Sequence, residues 1–272
     1  MRDSIAATYG HGTENDFVII FDPADEIVIT PEIAARICNR ESGVGADGII
    51  RIVKSERHWF MDYRNADGSI AEMCGNGIRV MARYLVERGH QPEGIFAIDT
   101  RAGLKHLRVP MKDDISVNMG KIYDEAEEVT ATVNGETYRG LNINVGNPHA
   151  VVFLDDLSKL GSLDIAPMIN PATSYPEGVN VEFVEILPNN EAKMRVHERG
   201  SGETRSCGTG TCAVALAATI KAGQGLPSRW VIYPPGGRLV VDIDPHSNAT
   251  LIGPALLIED VDISRFFNQE DR

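Results

Sequence analysis

The feature that most constrains this chain of 272 residues is a repeat of its own sequence. The stretch "EMCGNGIRVMARYL" (72–85) sets a cysteine directly before Gly-x-Gly and a helix-like segment. "SCGTGTCAVALAA" (206–218) does the same 133 residues later. On that one offset "DFVIIFD" (16–22) lies over "HAVVFLD" (149–155), Gly45 over Gly178, and Asn65 over Glu198. Met119-Gly120 lies over Ile252-Gly253. Chance explains one such match. Five matches on one ungapped offset mark an ancient duplication. Two copies nearly exhaust the chain, so the two halves must share one fold.

Each half reads alike. "NDFVIIFD" and "AVVFLDD" are apolar, β-rich runs that end at turn residues. "HWFMDYRN" and "AKMRVHE" are strand-like and precede the cysteines; "ADGS" and "RGSGE" read as turns. "CAVALAATIKAG" is apolar on nearly every face until Lys221, with Gly223 as a stop signal, and a helix apolar all round is a buried one. "LKHLRV" and "RLVVDI" are further strands. One buried helix amid many strands predicts an α+β class: two pseudo-symmetric domains, each a barrel-like, mostly antiparallel sheet around a central helix. The boundary is expected near Val117 to Gly120. Residues 1–117 with 253–272 then form the domain that carries Cys74, and 118–252 the domain that carries Cys207.

Composition narrows the function classes. The net charge is −13 and the pI about 5.0. Phosphate backbones need a basic footprint, so nucleic acid is not an expected partner. No apolar run approaches the roughly 18–20 residues of a membrane span. "MRDSIAATYGHG" lacks the apolar core of a signal peptide, so a cytoplasmic protein is expected. The four cysteines, Cys38, Cys74, Cys207 and Cys212, are then thiols rather than disulfides. Cys212 falls inside the apolar helix and Cys38 in "PEIAARICNRE", both as core positions. With no Cys-x-x-Cys and no His-x3-His partner, no metal site is expected. There is no P-loop and no Gly-x-Gly-x-x-Gly after a strand. "GVGADG" (43–48) reads as a turn into the strand "IIRIV".

The cysteine turns carry the chemistry. A helix N-terminus offers unpaired N–H groups and a partial positive charge, and glycine lets a ligand approach the backbone. Gly75-Asn76-Gly77 and Gly208-Thr209-Gly210 are therefore carboxylate-sized anion sites. The same field favours the thiolate of Cys74 and of Cys207. A racemase removes a proton from one face of a carbon and returns another to the opposite face. Two thiols facing one cleft, one ionised and one not, do this in both directions. No lysine motif for pyridoxal phosphate is evident, so two helix N-termini would have to stabilise the developing charge, at about 3–4 kcal/mol per donor.

These residues resemble the diaminopimelate epimerases. The likeness runs from "HGTENDF" to "GPALLI" and includes "RNADGSIAEMCGNG", "GNPH", "PEGVNVEF" and "HERGSGETRSCGTG". The resemblance implies a site between two domains and a cofactor-independent epimerase that converts L,L-2,6-diaminoheptanedioate to the meso isomer, in lysine and peptidoglycan precursor synthesis. It implies that Cys74 and Cys207 are catalytic, that His149 assists the first thiol and that Glu198 assists the second. It gives the amides of Gly75, Asn76, Gly208 and Thr209 the reacting carboxylate. Asn15, Asn65, Asn147, Asn180, Glu198 and Arg199 match the rest of the substrate shell. Two positions depart from the family's pattern: Glu14, where glycine is common, and Gly48, where many members carry glutamine. Edge strands of such folds often pair, so a homodimer is an open expectation.

Two other readings compete. Proline and hydroxyproline racemase-type enzymes share fold and chemistry, but usually carry His after the first Cys-Gly, where this chain has Asn76, and lack the "ERGSGET" run. A ligand-binding or thiol-redox module is a different class. His149 and Glu198, retained beside the thiols, argue for catalysis.

Overall fold

A computed structural model describes residues 4–267. The first three and last five residues, assigned above to the first domain, lie outside it. The described chain divides into two compact units, one running to Val117 and resuming at Pro254, the other Asn118–Gly253. Gly253 closes a strand of the second unit, one residue beyond the expected boundary.

The first unit holds β1 (Ala6–Gly12), β2 (Asn15–Phe21), α1 (Pro31–Cys38), β3 (Gly48–Lys54), β4 (Trp59–Asn65), α2 (Gly75–Glu87), β5 (Gly94–Thr100), β6 (Gly103–Val109) and the start of β7 (Ile115–Lys121). The second holds β8 (Tyr123–Val133), β9 (Glu136–Asn144), β10 (Pro148–Phe153), β11 (Met168–Asn170), β12 (Asn180–Leu187), β13 (Glu191–Glu198), β14 (Gly202–Thr204), α3 (Gly208–Lys221), β15 (Ser228–Tyr233), β16 (Leu239–Ile243) and β17 (Asn248–Gly253). The chain returns to the first unit as β18 (Leu256–Asp262).

The duplication is visible in the hydrogen bonding. In the first unit the strands pair in the order β18, β1, β2, β3, β4, β5, β6, β7, with β2–β3 and β4–β5 parallel and the rest antiparallel. In the second they pair as β8, β9, β10, β12, β13, β15, β16, β17, with the same two steps parallel. Even a register survives: Phe17 pairs with Gly48, and their copies Ala150 and Val181 pair likewise. Helix α2 packs against β1, β2, β3, β6 and β18, and α3 against β9, β10, β12, β13, β15, β16 and β17. Each sheet therefore wraps its helix, because only a curled sheet lets both of its ends reach one rod.

The sequence explains these elements. Strand residues such as Phe17, Ile19, Ile50 and Phe183 are fully buried, each worth roughly 1.5–3 kcal/mol. Pro31 opens α1 behind Thr30, whose side chain accepts the Ile33 N–H. α3 is buried nearly all round and ends at Ala222, followed by Gly223 in the left-handed region (φ +65°). α2 is as central yet carries two buried arginines. Arg83 donates to the carbonyls of Pro110, Met111 and Asp113 at 2.6–2.7 Å, which satisfies a charge that is mostly buried.

Two local readings differ. "RGSGE" is not all turn, since Gly202–Thr204 pairs as a short strand with β13. α1 has no copy: one offset later the second unit has β11 and a short 3-10 turn, Ala172–Ser174. Among the described residues no helix is long and apolar enough to cross a membrane.

Candidate active site

In the first unit, the thiol of Cys74 is the N-cap of α2. Its backbone is extended (φ −129°, ψ 121°) and Sγ accepts the Gly77 N–H at 3.4 Å. A cysteine here takes the place that Ser or Asp usually fills, so the sulfur is fixed at the positive end of the helix dipole. Sγ also lies 3.4 Å from Asn15 Oδ1, which accepts from Asn76 Nδ2 at 3.3 Å. Asn76 is held by Arg79, a fully buried guanidinium that donates to Asn76 Oδ1 (3.1 Å), Gly75 O (3.0 Å) and Pro254 O (3.3 Å).

Asn15 donates Nδ2 to Asp47 at 2.7 Å. Arg40 grips Asp16 with two bonds (2.8 and 2.9 Å) and Asp47 with one (2.7 Å), and Tyr9 donates to Asp16 at 2.7 Å. Burial opposes ionisation of Asp16, but the bonds from Arg40, Tyr9 and the Asp47 N–H outweigh it and hold the carboxyl below its usual range. Asn65 stands at the end of β4 and donates to Ser69, within its own turn.

The second unit repeats the cap. Cys207 is the N-cap of α3 with nearly the same backbone (φ −123°, ψ 119°), and Sγ accepts the Gly210 N–H at 3.4 Å. Its surroundings are different. Glu198, at the end of β13, accepts from Thr204 and lies beside the Cys207 thiol. Burial raises the Glu198 carboxyl against those contacts, with help from the charge of Glu182. The Cys207 thiol is pushed up by burial, by Glu198 and by Glu182, against the pull of Thr209 and the Gly210 N–H. The lowered thiol expected from the helix field alone is thus overturned at Cys207. A buried sulfur beside two carboxylates gains more from staying neutral than the helix end gives to its anion.

A chain of contacts runs behind this thiol. Cys207 Sγ lies 3.5 Å from Thr209 Oγ1, which accepts from Asn147 Nδ2 at 3.4 Å. Asn147 Oδ1 is 3.0 Å from His149 Nε2, and His149 Nδ1 is 2.7 Å from Glu182 Oε1. His149 thus has both nitrogens engaged within the second unit, and neither bond is to a thiol. Asn180 donates to Pro148 O at 3.2 Å and accepts the Arg199 N–H at 3.0 Å. The Arg199 side chain reaches the Glu177 carbonyl at 3.4 Å.

The structure therefore gathers Asn15, Gly75 and Asn76 around Cys74, and Asn147, His149, Glu198, Gly208 and Thr209 around Cys207. Asn180 accepts the Arg199 backbone N–H across the β12–β13 pair, and Asn65 stays in its turn. Arg40, Asp47, Arg79, Glu182 and Thr204 were missed. A charge inside an apolar run is the signal that Arg79 in "GIRVMA" and Glu182 in "NVEFVE" carried. Cys38 and Cys212 are buried, and burial, then Asp16 and Asp47, push the Cys38 thiol up to about 12. None of the four cysteines is joined in a disulfide. Among the described residues no group of His, Cys, Asp and Glu is placed to hold a metal ion.

The departures also have a local account. Glu14 sits in the left-handed region (φ +57°), where glycine is easier. Gly48 has no room for a side chain, since a Cβ there would overlap the Arg64 carbonyl and the Tyr63 ring.

The diaminopimelate epimerase family model matches residues 7–123 and 141–258, each stretch lying mostly in one unit. A diaminopimelate epimerase of Streptomyces coelicolor is 45% identical over 95% of both chains. One of Corynebacterium glutamicum is 42% identical over 95% of this chain and 98% of its own. The fold is also that of a hydroxyproline epimerase from Agrobacterium vitis (TM-score 0.71, 15% identity, 96% of this chain and 92% of that one). It is shared as well with a Bacillus anthracis protein of the phenazine biosynthesis PhzF family (TM-score 0.72, 15% identity, 96% and 99%). At such identities these two solved structures speak for the fold alone. With its two cysteine-capped helices and its full-length match, the chain belongs to the diaminopimelate epimerase family, and it is an isomerase.

Proposed function

We infer that this chain interconverts L,L-2,6-diaminoheptanedioate and its meso isomer without a cofactor, with Cys74 and Cys207 as the two acid/base groups. The observation that carries this reading is the pair of N-caps: two thiols on nearly the same backbone, each at the head of a buried helix. One thiolate takes the α-proton. The electron pair left on carbon is shared with the α-carboxylate, and the other thiol gives its proton to the opposite face. The first thiol ends protonated and the second ionised, so the reverse reaction starts from the product state. The first-turn amides of Gly75, Asn76, Gly208 and Thr209 are the donors for that carboxylate.

Cys207, whose thiol is pushed up, is the group that holds its proton at rest. Glu198 lies beside it and serves as its auxiliary base; His149 is the auxiliary group of Cys74. Arg199 suits the distal carboxylate, and Asn15, Asn65, Asn147 and Asn180 suit its polar surroundings. The reaction belongs to lysine and peptidoglycan precursor synthesis, in the cytoplasm. A homodimer goes with this reading, supported by the open edge of β11, where Met168 is 72% exposed. A solution mass of one chain would remove that part.

The test is incubation of the reduced protein with L,L-diaminopimelate in D2O. Deuterium should enter the α-position together with meso product. Absence of both label and product would end the reading.

A further inference from the structure

We propose that Glu182 is a positioning residue: it fixes the His149 ring and, through Asn147 and Thr209, the setting of the Cys207 thiol. This rests on the reading of Cys207 and His149 as acid/base groups. Glu182 is fully buried on β12, a strand that is otherwise almost wholly apolar at its centre. One oxygen, Oε1, meets His149 Nδ1 at 2.7 Å. The other, Oε2, is buried without a hydrogen-bond partner. A buried acceptor left open is destabilising, and more so when charged. The fold does not require that expense. At the same offset in the first unit stands Ile49, also fully buried, on the matching strand.

The surroundings are shaped for the carboxylate. A Cβ on Gly210 would come 2.6 Å from Glu182 Oε1, so the first turn of α3 is cut back to admit it. The copy of that glycine, Gly77, instead faces Ile50, Met61 and Phe17. The positive end of α3 offsets the charge that Glu182 brings inside.

The geometry then runs outward without a gap: Glu182 to His149 Nδ1, His149 Nε2 to Asn147 Oδ1, Asn147 Nδ2 to Thr209 Oγ1, and Thr209 to Cys207 Sγ. With both nitrogens engaged the imidazole cannot turn, and the bond made by one nitrogen sets what the other presents. The other titratable groups facing the cluster are Glu198 from β13, Cys207 at the head of α3, and Tyr175, whose phenol is raised by burial and by Glu127, Glu182 and Glu125.

The test uses the full chain with Glu182→Ile, which copies Ile49, and Glu182→Gln, which keeps an acceptor for Nδ1. By analogy with the outer partners of metal-bound histidines, E182I should lower kcat roughly 10- to 100-fold, while E182Q recovers most of it. KM for diaminopimelate should change less than kcat in both, since every group that contacts the substrate is retained. Nitrogen-15 spectra of the His149 ring give a readout apart from activity. A single ring state is expected in the wild type, an averaged one in E182I, and an upfield shift of the Nδ1 proton in E182Q. Wild-type kcat in E182I, or an Nδ1 proton unmoved in E182Q, overturns the proposal. If the wild type itself does not epimerise, the functional reading fails, and the ring spectra still judge the link between Glu182 and His149.

Discussion

The two cysteine-capped helices have the same backbone and opposite surroundings. Around Cys74 the neighbours are amides, Asn15 and Asn76, locked by the cations Arg40 and Arg79 and by two carboxyls, Asp16, held below its usual range, and Asp47, raised by burial. Around Cys207 they are titratable: Glu198, Glu182 and His149, with burial pushing both Glu198 and the thiol toward their neutral forms. A duplication supplied two equal thiol positions. Substitution of the residues behind them gave one half amides held by ion pairs and the other buried titratable groups. At the equivalent places Asp16 stands against His149, Ile49 against Glu182, Asn65 against Glu198 and Arg79 against Cys212. Equal caps with unequal shells are what a reaction needs when one group must start ionised and the other protonated.

The strongest way to break that comparison is to remove one thiol at a time. Cys74→Ala and Cys207→Ala should each cost epimerisation about 10²–10⁴-fold, the range for a lost acid/base group. The double variant should be no worse than the poorer single one, because residues that act as a unit are not additive. Meso product formed from L,L substrate measures all three. Normal turnover in either single variant would refute the pairing of the halves.

Next in size is Arg199→Met. Losing a charge-assisted bond of about 1.5–3 kcal/mol should raise KM roughly 10- to 100-fold, with kcat changed less. A larger loss in kcat than in KM would move Arg199 from holding the substrate to the chemistry itself.

Asp16 and Glu198 should also answer pH with opposite signs. Asp16 is lowered, so its stabilising contribution is present above the ordinary carboxylate range and is lost as pH falls through its folded value. Glu198 is raised, so its contribution is present below that range and is lost as pH rises through its folded value. Thermal unfolding across pH should therefore show Asp16→Asn converging on the wild type in acid. Glu198→Gln should gain on the wild type as pH rises toward neutrality. Parallel curves for the two variants would erase the contrast.

The smallest expected effect is at Glu14→Gly. Relief of the left-handed backbone and the greater freedom of glycine in the unfolded chain oppose each other, so stability should change by less than about 1 kcal/mol. Chemical denaturation measures it. A change of several kcal/mol would mean that the Glu14 side chain, and not its backbone, holds the loop.

Much of this was legible in the chain. The offset of 133 residues foretold two copies of one fold, and the match extends to strand order and to the parallel steps beside each helix. Cys-Gly-x-Gly before an apolar run is local information, since a helix start depends on neighbours in sequence. The shells were not legible to the same degree. Asn15 meets Cys74 across 59 residues, and His149 meets Glu182 across 33, contacts that only strand pairing creates. Register decided that Glu182 lies under α3 while its copy Ile49 does not need to bond anything.

The sequence by itself determined that there are two equivalent thiols at two helix heads, because duplication and capping are written in short, local patterns. The tertiary structure alone decided how the thiols differ. The proton affinity of Cys207 depends on the burial and charges that distant strands bring to it, and no pattern along the chain records that field.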